Sequence, residues 1–439
     1  MDDHSNQTNP YAHVKAPSEE QYHSCIKCGL CVPNCPTYQS TFKETESPRG
    51  RVMLARKVLE GKLEPSVNFH DQMNRCMDCL SCNSICPVGI KPADLALDMR
   101  YAAEQIHPTG WKNLLFKHTL RYPRRLELAS LPMRLYQNLG VRWLLHRLGL
   151  ISILPAHFRD LENQLPRIPV RPLRVRIPEV TTAVGIKKHT VAFFLGCGQS
   201  LIHAASSQAT LRILAHNGCE IVTPRKTKCC GMPARGYGRM DEVLDMARHN
   251  IDLYETCDVD FIITDCATCG SMLKEYEHFF KDDPEWAERA ERFSKKVRDV
   301  SEFLADNGVE KPKGRINATV TYHDPCHMVR AQNIRNQPRD LLRMIDGINF
   351  IEMSGADQCC GSAGSQLVTH YQSSSAILDR KIANLADTGA EIVASGCPAC
   401  RMQLTTGIAR AGLNVKVVHP VELLAQAYDN KAEGTGRNG

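Results

Sequence analysis

The sequence lacks an apolar run long enough to cross a lipid bilayer. Its most apolar part is interrupted by Arg142, His146 and Arg147, whereas a membrane-spanning helix needs about 20 consecutive apolar residues. The opening residues, MDDHSNQTNPYAHVKAPSEE, contain neither the basic nor the apolar segment of an export signal. We therefore expect a cytoplasmic protein, and a peripheral position on the cytoplasmic face of a membrane remains an alternative.

Fingerprints of nucleotide binding are missing as well. No GxGxxG follows a strand-like segment and no P-loop is present, so a flavin or nicotinamide would have to be bound by another polypeptide. The rest of the composition is ordinary, since 43% of the 439 residues are hydrophobic and 23% are charged, near the averages of soluble proteins. A chain of this length predicts two to four globular domains.

Cysteine is the exception, with 20 residues. Cytosolic thiols are kept reduced, so clustered cysteines indicate metal binding or redox chemistry rather than disulfides. Two runs, CIKCGLCVPNCP at residues 25–36 and CMDCLSCNSICP at residues 76–87, follow the C-x2-C-x2-C-x3-C-P spacing of bacterial ferredoxins with two 4Fe-4S clusters. A pair of zinc sites is the alternative, although zinc needs four ligands per site and not a repeated three-plus-one pattern.

In two-cluster ferredoxins the fourth cysteine of each run binds the cluster of the other run. The predicted ligands of the first 4Fe-4S cluster are Cys25, Cys28, Cys31 and Cys86, and those of the second are Cys76, Cys79, Cys82 and Cys35.

A helix is predicted between the two runs. In SPRGRVMLARKVLEGK the apolar residues recur at helical spacing, with Pro48 near the start and Gly61 at the end. Arg49, Arg51 and Arg56 are expected on a solvated face of this helix, and contact with the clusters or a partner is the alternative.

The second half of the chain contains a tandem repeat, which its cysteines reveal. Each copy has a single cysteine, a Cys-Cys-Gly sequence and a C-x2-C pair, and matching cysteines are 129, 130 and 131 residues apart. The sets are Cys197, Cys229, Cys230, Cys266 and Cys269 in the first copy and Cys326, Cys359, Cys360, Cys397 and Cys400 in the second. Strand-like segments such as DFIITDCATC and EIVASGCPAC end at these cysteines and alternate with helix-like segments. This alternation predicts two small α/β domains with the cysteines at the carboxyl ends of strands.

Five cysteines per copy exceed the four that a cubane cluster needs, which indicates an unusual cluster. Cys219 and Cys257 have no counterpart in the second copy and are interpreted as structural residues. His323 and His327 flank Cys326; they either tune the second site or simply form hydrogen bonds with backbone or sulfur, and we assign them no catalytic role.

Residues 107–177 form a basic segment between the two cysteine-rich regions. They contain thirteen Lys or Arg and three acidic residues, a local net charge of +10 in a chain of net charge +6. Their apolar residues recur at the spacing of amphipathic helices broken at Pro123 and Pro132. Such helices lie on an anionic membrane, dock on a partner or pack on their own domains. We expect no nucleic-acid partner, and we expect residues 165–188 to form an extended, proline-punctuated linker.

These observations predict an α+β multi-domain chain. Its parts are a helical N-terminal domain of the ferredoxin type with two 4Fe-4S clusters over residues 1–106, a basic helical connector and linker over 107–188, and two small α/β domains over 189–312 and 313–430.

The two Cys-Cys-Gly patterns resemble the cysteine-rich CCG domain that is shared by heterodisulfide reductase subunits and by iron–sulfur subunits of several flavin dehydrogenases. Joined to the ferredoxin-type runs, and with CPTYQ followed by ESPRGR, the chain is similar to the iron–sulfur subunits of glycolate oxidase. The resemblance implies a noncubane 4Fe-4S cluster in one or both five-cysteine sets. A zinc ion or a single cubane cluster in the same domain is the alternative.

The resemblance also implies a function. A separate flavoprotein subunit carrying FAD would oxidise a 2-hydroxy acid, glycolate or lactate, and this chain would relay the electrons toward a quinone or another respiratory acceptor. The chain would then be one subunit of an oxidoreductase, inactive alone and without catalytic residues of its own. The alternative is a heterodisulfide reductase-like subunit that reduces a disulfide at the CCG clusters, and a third is a redox-responsive scaffold.

Overall fold

The computed structural model describes residues 17–108, 110–163 and 168–430, and these form two compact units. The first unit contains the described residues up to His118 together with Gly231–Val243 and Gly361–Ile377. The second contains Thr119–Cys230, Leu244–Cys360 and the described residues from Leu378 onward. The two short segments of the first unit therefore follow directly after the two Cys-Cys pairs in sequence.

The first unit is helical. Its helices are Glu19–His23, Pro36–Thr41, Pro48–Leu59, Val67–Asn74, Ser81–Ile85, Pro92–Ile106, Gly110–Lys112, Met232–Gly236 and Gln366–Thr369, with a 3-10 turn at Glu44–Glu46 and a π-helix, Asn113–Leu120, that begins in this unit. The helix predicted between the cysteine runs is confirmed as Pro48–Leu59. Ser47 caps it by accepting a hydrogen bond from the backbone N–H of Gly50 at 2.9 Å, and Pro48 stands in its first turn.

The core of the first unit lies between three helices, Pro48–Leu59, Val67–Asn74 and Pro92–Ile106. Val52, Met73 and Met99 are completely buried there. Gly238 lies against the last of these helices at a φ of +71°, and a Cβ at this position would be 2.4 Å from the carbonyl oxygen of Arg100. Only glycine fits this contact, so segment 231–243 packs closely against the helix Pro92–Ile106 of the same unit.

The second unit contains two sheets, which correspond to the two copies of the repeat. The strands are β1 Val180–Thr181, β2 His189–Phe193, β3 Cys219–Val222, β4 Phe261–Thr264, β5 Val297–Asp299, β6 Ala318–Tyr322, β7 Ile348–Phe350, β8 Ile392–Ala394 and β9 Lys416–Val418. The first sheet has the order β1-β3-β2-β4-β5 and the second the order β7-β6-β8-β9. All neighbours are parallel except β1 and β3. The shared order of the four parallel strands confirms the predicted duplication and the α+β fold class.

Helices cover both sheets. They are Cys197–Leu201, Ala204–His216, Met240–Glu255, Ala267–Lys274, Tyr276–Phe279, Ala287–Lys296 and Val300–Asn307 in the first copy, and Cys326–Val329, Gln337–Arg343, Tyr371–Ala386, Pro398–Arg410 and Pro420–Asp429 in the second. One cluster of buried apolar side chains contains residues of both copies, among them Val191, Ile213, Val320 and Leu424. The two copies are therefore packed together through a shared core.

The basic segment continues in the second unit as short helices. They are Pro123–Ala129, Leu131–Asn138, Val141–Arg147, Ala156–Asn163 and Leu173–Arg176. Pro123 and Pro132 stand in the first turns of two of these helices, where proline is tolerated. The last helix corrects the expectation of an extended linker, because Leu173 is completely buried in the shared core and fixes a helical turn there. No helix in the described part of the chain is long and apolar enough to span a membrane.

Candidate iron–sulfur sites

The first candidate site is a small cavity in the first unit. Four of its lining residues are Cys25, Cys28, Cys31 and Cys86. Cys28 is exposed and the other three are half-buried, so solvent reaches this site. Gly29 lines the cavity at a φ of +85°, with Arg49 beside it.

The second candidate site is another small cavity in the same unit. Its four cysteines are Cys35, Cys76, Cys79 and Cys82, and all of them are buried. Burial and the neighbouring cysteines raise the pKa of the Cys82 thiol well above its ordinary value. Four buried thiols in one cavity become thiolates when a cation replaces their protons. The donor set and the enclosed space fit an iron–sulfur cluster.

Two buried guanidinium groups lie beside the second site. Arg51 donates from both Nη atoms to the hydroxyl of Thr37 at 3.2 Å, and that hydroxyl is 3.1 Å from the sulfur of Cys35. Arg100 donates to the carbonyl oxygen of Cys76 at 2.5 Å. These contacts orient the segments that carry the cysteines and place positive charge near an anionic site. The expectation of a solvated Arg51 is wrong, since only 2% of this residue is exposed.

The first five-cysteine site lies at the carboxyl end of the first sheet. The sulfurs of Cys197 and Cys229 are 3.7 Å apart, and the thiol of Cys269 interacts with those of Cys230 and Cys266. These contacts form two sets of sulfurs, Cys197 with Cys229 and Cys269 with Cys230 and Cys266, and the two sets are connected by the adjacent residues Cys229 and Cys230. Four of the five residues are buried and Cys197 is half-buried.

The backbone of the first Cys-Cys pair is held by side chains of two helices. The Tyr276 hydroxyl donates to the carbonyl oxygen of Cys230 at 2.8 Å, and the Asn250 amide donates to that of Cys229 at 3.2 Å. Gly196 provides room on the other side, because a Cβ there would be 3.1 Å from the sulfur of Cys269. The backbone of the Cys-Cys pair is thus fixed by hydrogen bonds, and the sulfur of Cys269 has room beside Gly196.

The second five-cysteine site lies at the carboxyl end of the second sheet. The thiol of Cys360 interacts with those of Cys359 and Cys400. Hydrogen bonds from Cys400 and Thr268 lower the pKa of Cys397 to about 6. The hydrogen bonds of Cys400 with Cys360 and Cys397 raise the pKa of Cys400 well above its ordinary value, so the thiols of Cys397 and Cys400 share a proton as a coupled pair.

The two five-cysteine sites are neighbours. The Thr268 hydroxyl, one residue before Cys269 in sequence, is 3.3 Å from the sulfur of Cys397. The N–H of Ala267 donates to the carbonyl oxygen of Gly396 at 2.9 Å. The chain segments that carry the two C-x2-C pairs therefore touch.

The ferredoxin-type cysteines line two cavities in the predicted sets of four, and Cys359, Cys360, Cys397 and Cys400 interact in the second CCG set. The place of Cys326 in that set and the ligation at all four sites stay predictions. The two cysteines expected to be structural lie apart from these groups. Cys219 is on β3 in the shared core, where burial raises its pKa to about 11. The thiol of Cys257 donates to the carbonyl oxygen of Leu253 at 3.7 Å.

Sequence reasoning missed the cations near the sites. Arg100 lies on an otherwise apolar helix face, and Lys381 is 1% exposed in a helix near the second five-cysteine site. A comparison of the two copies would have found Lys381, because Ile251 stands at the same distance, 21 residues, after the second cysteine of its pair.

Three family profiles match the chain. They describe a 4Fe-4S dicluster domain over residues 21–90, the linker region of the glycolate oxidase iron–sulfur subunit over 107–165, and the cysteine-rich CCG domain over 191–274 and again over 320–405.

Individual proteins also resemble the chain, two of them over nearly their whole length and its own and one over about half of it. The probable glycolate oxidase iron–sulfur subunit of Bacillus subtilis (strain 168) is 36% identical over 93% of this chain and 94% of its own length. The glycolate oxidase iron–sulfur subunit of Escherichia coli (strain K12) is 27% identical over the same shares. Lactate utilization protein A of Bacillus subtilis is 31% identical over 53% of this chain and 98% of its own length.

A hypothetical protein from Helicobacter pylori has a similar fold, with a TM-score of 0.54 and 11% identity, over 96% of this chain and 75% of that one. The identity to full-length relatives and the linker profile establish the family. The chain belongs to the family of glycolate oxidase iron–sulfur subunits.

Proposed function

We propose that this chain is the electron-transfer subunit of a flavin-dependent 2-hydroxyacid dehydrogenase, with glycolate as the first candidate substrate and lactate as the second. The observation that carries the proposal is the distribution of cysteine. Eighteen of the 20 cysteines lie in four groups on a chain without a nucleotide fingerprint. Such a chain is built to hold redox centres and not to bind and oxidise a hydroxy acid by itself.

Each group would hold one iron–sulfur cluster. The ferredoxin-type groups would hold 4Fe-4S clusters through the two four-cysteine sets, and the CCG groups would hold further 4Fe-4S clusters of the noncubane type through the two five-cysteine sets. Such clusters accept and release single electrons. The protein contributes the ligands, the surrounding hydrogen bonds and the exclusion of water, which together adjust the potential.

Two further components follow from this role. FAD would be bound by a partner flavoprotein subunit, which removes two electrons from the hydroxy acid, and a quinone or another respiratory carrier would take the electrons away. Without the flavoprotein this chain would have no dehydrogenase activity.

The basic segment offers a surface for the membrane side of this process. Leu139, Trp143, Leu148 and Ile153 are between 60% and 77% exposed, and the guanidinium of Arg147 lies 4.9 Å from the Trp143 ring centre. Exposed apolar side chains interleaved with arginine are typical of surfaces that bind anionic lipid. We propose peripheral binding of this segment to the cytoplasmic face of the membrane, where a quinone acceptor would be within reach.

The second candidate function is reduction of a disulfide at the CCG sites. It is favoured by the complete sets of five cysteines and by the half-buried positions of Cys197, Cys326 and Cys359. These positions leave one edge of each site within reach of a small substrate.

The test begins with iron and acid-labile sulfide in anaerobically purified protein. Four occupied sites would give about 16 irons per chain, four for each cluster, whereas about eight would mean that the CCG sites are empty. The Cys269→Ala variant is expected to lose about four irons, and the matched Cys219→Ala variant none, since Cys219 lies in the apolar core.

The substrate is then identified by EPR. The partner flavoprotein with glycolate or lactate is added, and cluster signals that appear only with a hydroxy acid support the dehydrogenase. If no hydroxy acid reduces the clusters and a disulfide reoxidises chemically reduced protein, the disulfide reductase replaces it.

A further inference from the structure

The second CCG site contains a buried histidine that the five-cysteine pattern does not include. His323 follows β6 by one residue and is 1% exposed. Neither ring nitrogen has a hydrogen-bond partner in the described part of the chain. Its ring instead interacts with the thiol of Cys360. A buried imidazole without nitrogen or oxygen partners is costly, unless a ligand occupies one of its nitrogens.

The position of the ring fits metal binding. One ring nitrogen of His323 and the sulfurs of Cys360 and Cys400 lie within 4.8 Å of one another. Metal–sulfur and metal–nitrogen bonds of about 2.3 and 2.0 Å place tetrahedral ligand atoms roughly 3.5 Å apart, so small side-chain movements would bring these three donors onto one ion.

The first CCG site has no equivalent donor. His323 stands three residues before Cys326, and Phe194 stands three residues before Cys197. Phe194 is completely buried and stacks on Tyr254. A phenyl ring cannot bind iron. The duplicated sites therefore have the same five cysteines but differ in the residue that stands three positions before the first of them.

A buried cation adds to the difference. The ammonium of Lys381 donates to the carbonyl oxygens of Gly355 and Ala356 at 2.6 and 3.2 Å, and its charge acts on Cys359 and Cys360. In the first copy the matching residue is Ile251, which is completely buried.

We propose that His323 is a sixth protein ligand, binding iron beside Cys360 and Cys400 in the second CCG site. The imidazole is neutral and leaves the charge of the site unchanged, whereas the buried cation of Lys381 stabilises the more negative reduced state, so the second site has the higher reduction potential. Electrons shared between the adjacent sites would then collect at the second one. This inference rests on the proposal that both CCG sites hold iron–sulfur clusters.

The experiment uses the full chain, purified anaerobically, with either natural-abundance or ¹⁵N-labelled histidine. Pulsed EPR of the reduced protein is expected to show a strongly coupled histidine nitrogen. The signal should disappear in the His323→Phe variant, which copies the first site. It should persist in the His327→Phe control, since that imidazole lies 3.5 Å from the sulfur of Cys326 without belonging to the proposed ligand group.

Redox titration provides a second readout. The reduction equilibrium of the second-site signal is expected to shift by at least about tenfold in His323→Phe, because a ligand of the iron is removed; this shift equals 59 mV for one electron, while the first-site signal stays in place and reports intact folding.

The outcomes separate the two proposals. About 16 irons without a strongly coupled nitrogen in the wild-type protein would overturn the histidine ligand and leave the electron-transfer function standing. A coupling that survives in His323→Phe would do the same. About eight irons would overturn both the occupied CCG sites and the histidine ligand.

Discussion

Arg100 provides the sharpest test of how the second ferredoxin-type site is held together. Only 6% of this residue is exposed. Its guanidinium donates to the carbonyl oxygens of Met73 at 3.0 Å, Asn74 at 3.2 Å, Cys76 at 2.5 Å and Gly236 at 2.8 Å. One side chain thus joins the end of the helix before the second cysteine run, the first ligand of that run and segment 231–243.

The Arg100→Met substitution keeps most of the side-chain volume and removes all four donors. A buried carbonyl without a donor costs about 1–3 kcal/mol. The carbonyl of Met73 also accepts from the N–H of Cys76, and that of Asn74 from the side-chain amide of Gln366, so the loss falls on the carbonyls of Cys76 and Gly236. We therefore expect the first unit to lose about 3 kcal/mol, well above the roughly 1 kcal/mol of a typical substitution. Because the carbonyl of Cys76 is among the four, the second site should lose its iron before the first.

Iron content, EPR and anaerobic urea unfolding followed by circular dichroism would measure these effects. The matched control is Arg56→Met, which removes the ion pair of Arg56 with Glu60 on the same unit. That pair is partly exposed and should contribute less than about 1 kcal/mol. The reasoning is refuted if Arg100→Met keeps full iron content and unfolds within about 1 kcal/mol of the control.

Three further predictions concern solvent access, charge and pH. Anaerobic treatment with a chelator should remove iron first from the site with the exposed Cys28, giving two steps in the EPR signal; a single step would contradict this order. Lys381→Met should lower the potential of the second CCG site in a redox titration, because a buried positive charge is removed, and an unchanged potential would show that the charge is screened. Burial raises the pKa of Asp299 to about 7. The folded pKa exceeds the unfolded value of about 3.9, so the stability from its protonated form is lost as pH rises through about 7. Asp299→Asn should be less sensitive to pH in urea midpoints at pH 5.5 and 8, and equal slopes would refute this assignment.

The parts of the structure that follow from local sequence were predictable. The spacing of Cys25, Cys28 and Cys31 brings three thiols into one loop, and the proline after each fourth cysteine ends the run. The strands before Cys266 and Cys397 are short apolar segments between polar ones, and such segments form the buried strands of parallel sheets. These features depend on residues that are close in sequence, so a single sequence contains them.

The features that were missed depend on distant partners. Arg51 is buried because its Nε donates to the carbonyl oxygen of Gln72, 21 residues away, and helical periodicity predicts only which face a residue is on. Leu173 forms a helical turn because the shared core accepts it. Likewise, Gly361 begins a segment that belongs to the first unit, although the preceding cysteine belongs to the second. None of these contacts leaves a signal in nearby residues.

The duplication explains why the two CCG sites need not be equivalent. Each copy retains the same strand order and the same five cysteines, so the requirements for cluster binding are met twice. The differences lie next to the ligands, with Phe194 and Ile251 in one copy and His323 and Lys381 in the other. If both sites hold clusters as proposed, two identical adjacent centres would share an electron equally, whereas the buried cation of Lys381 would favour the electron on the second. Divergence around a retained ligand set would then give a direction to electron movement without any change of fold.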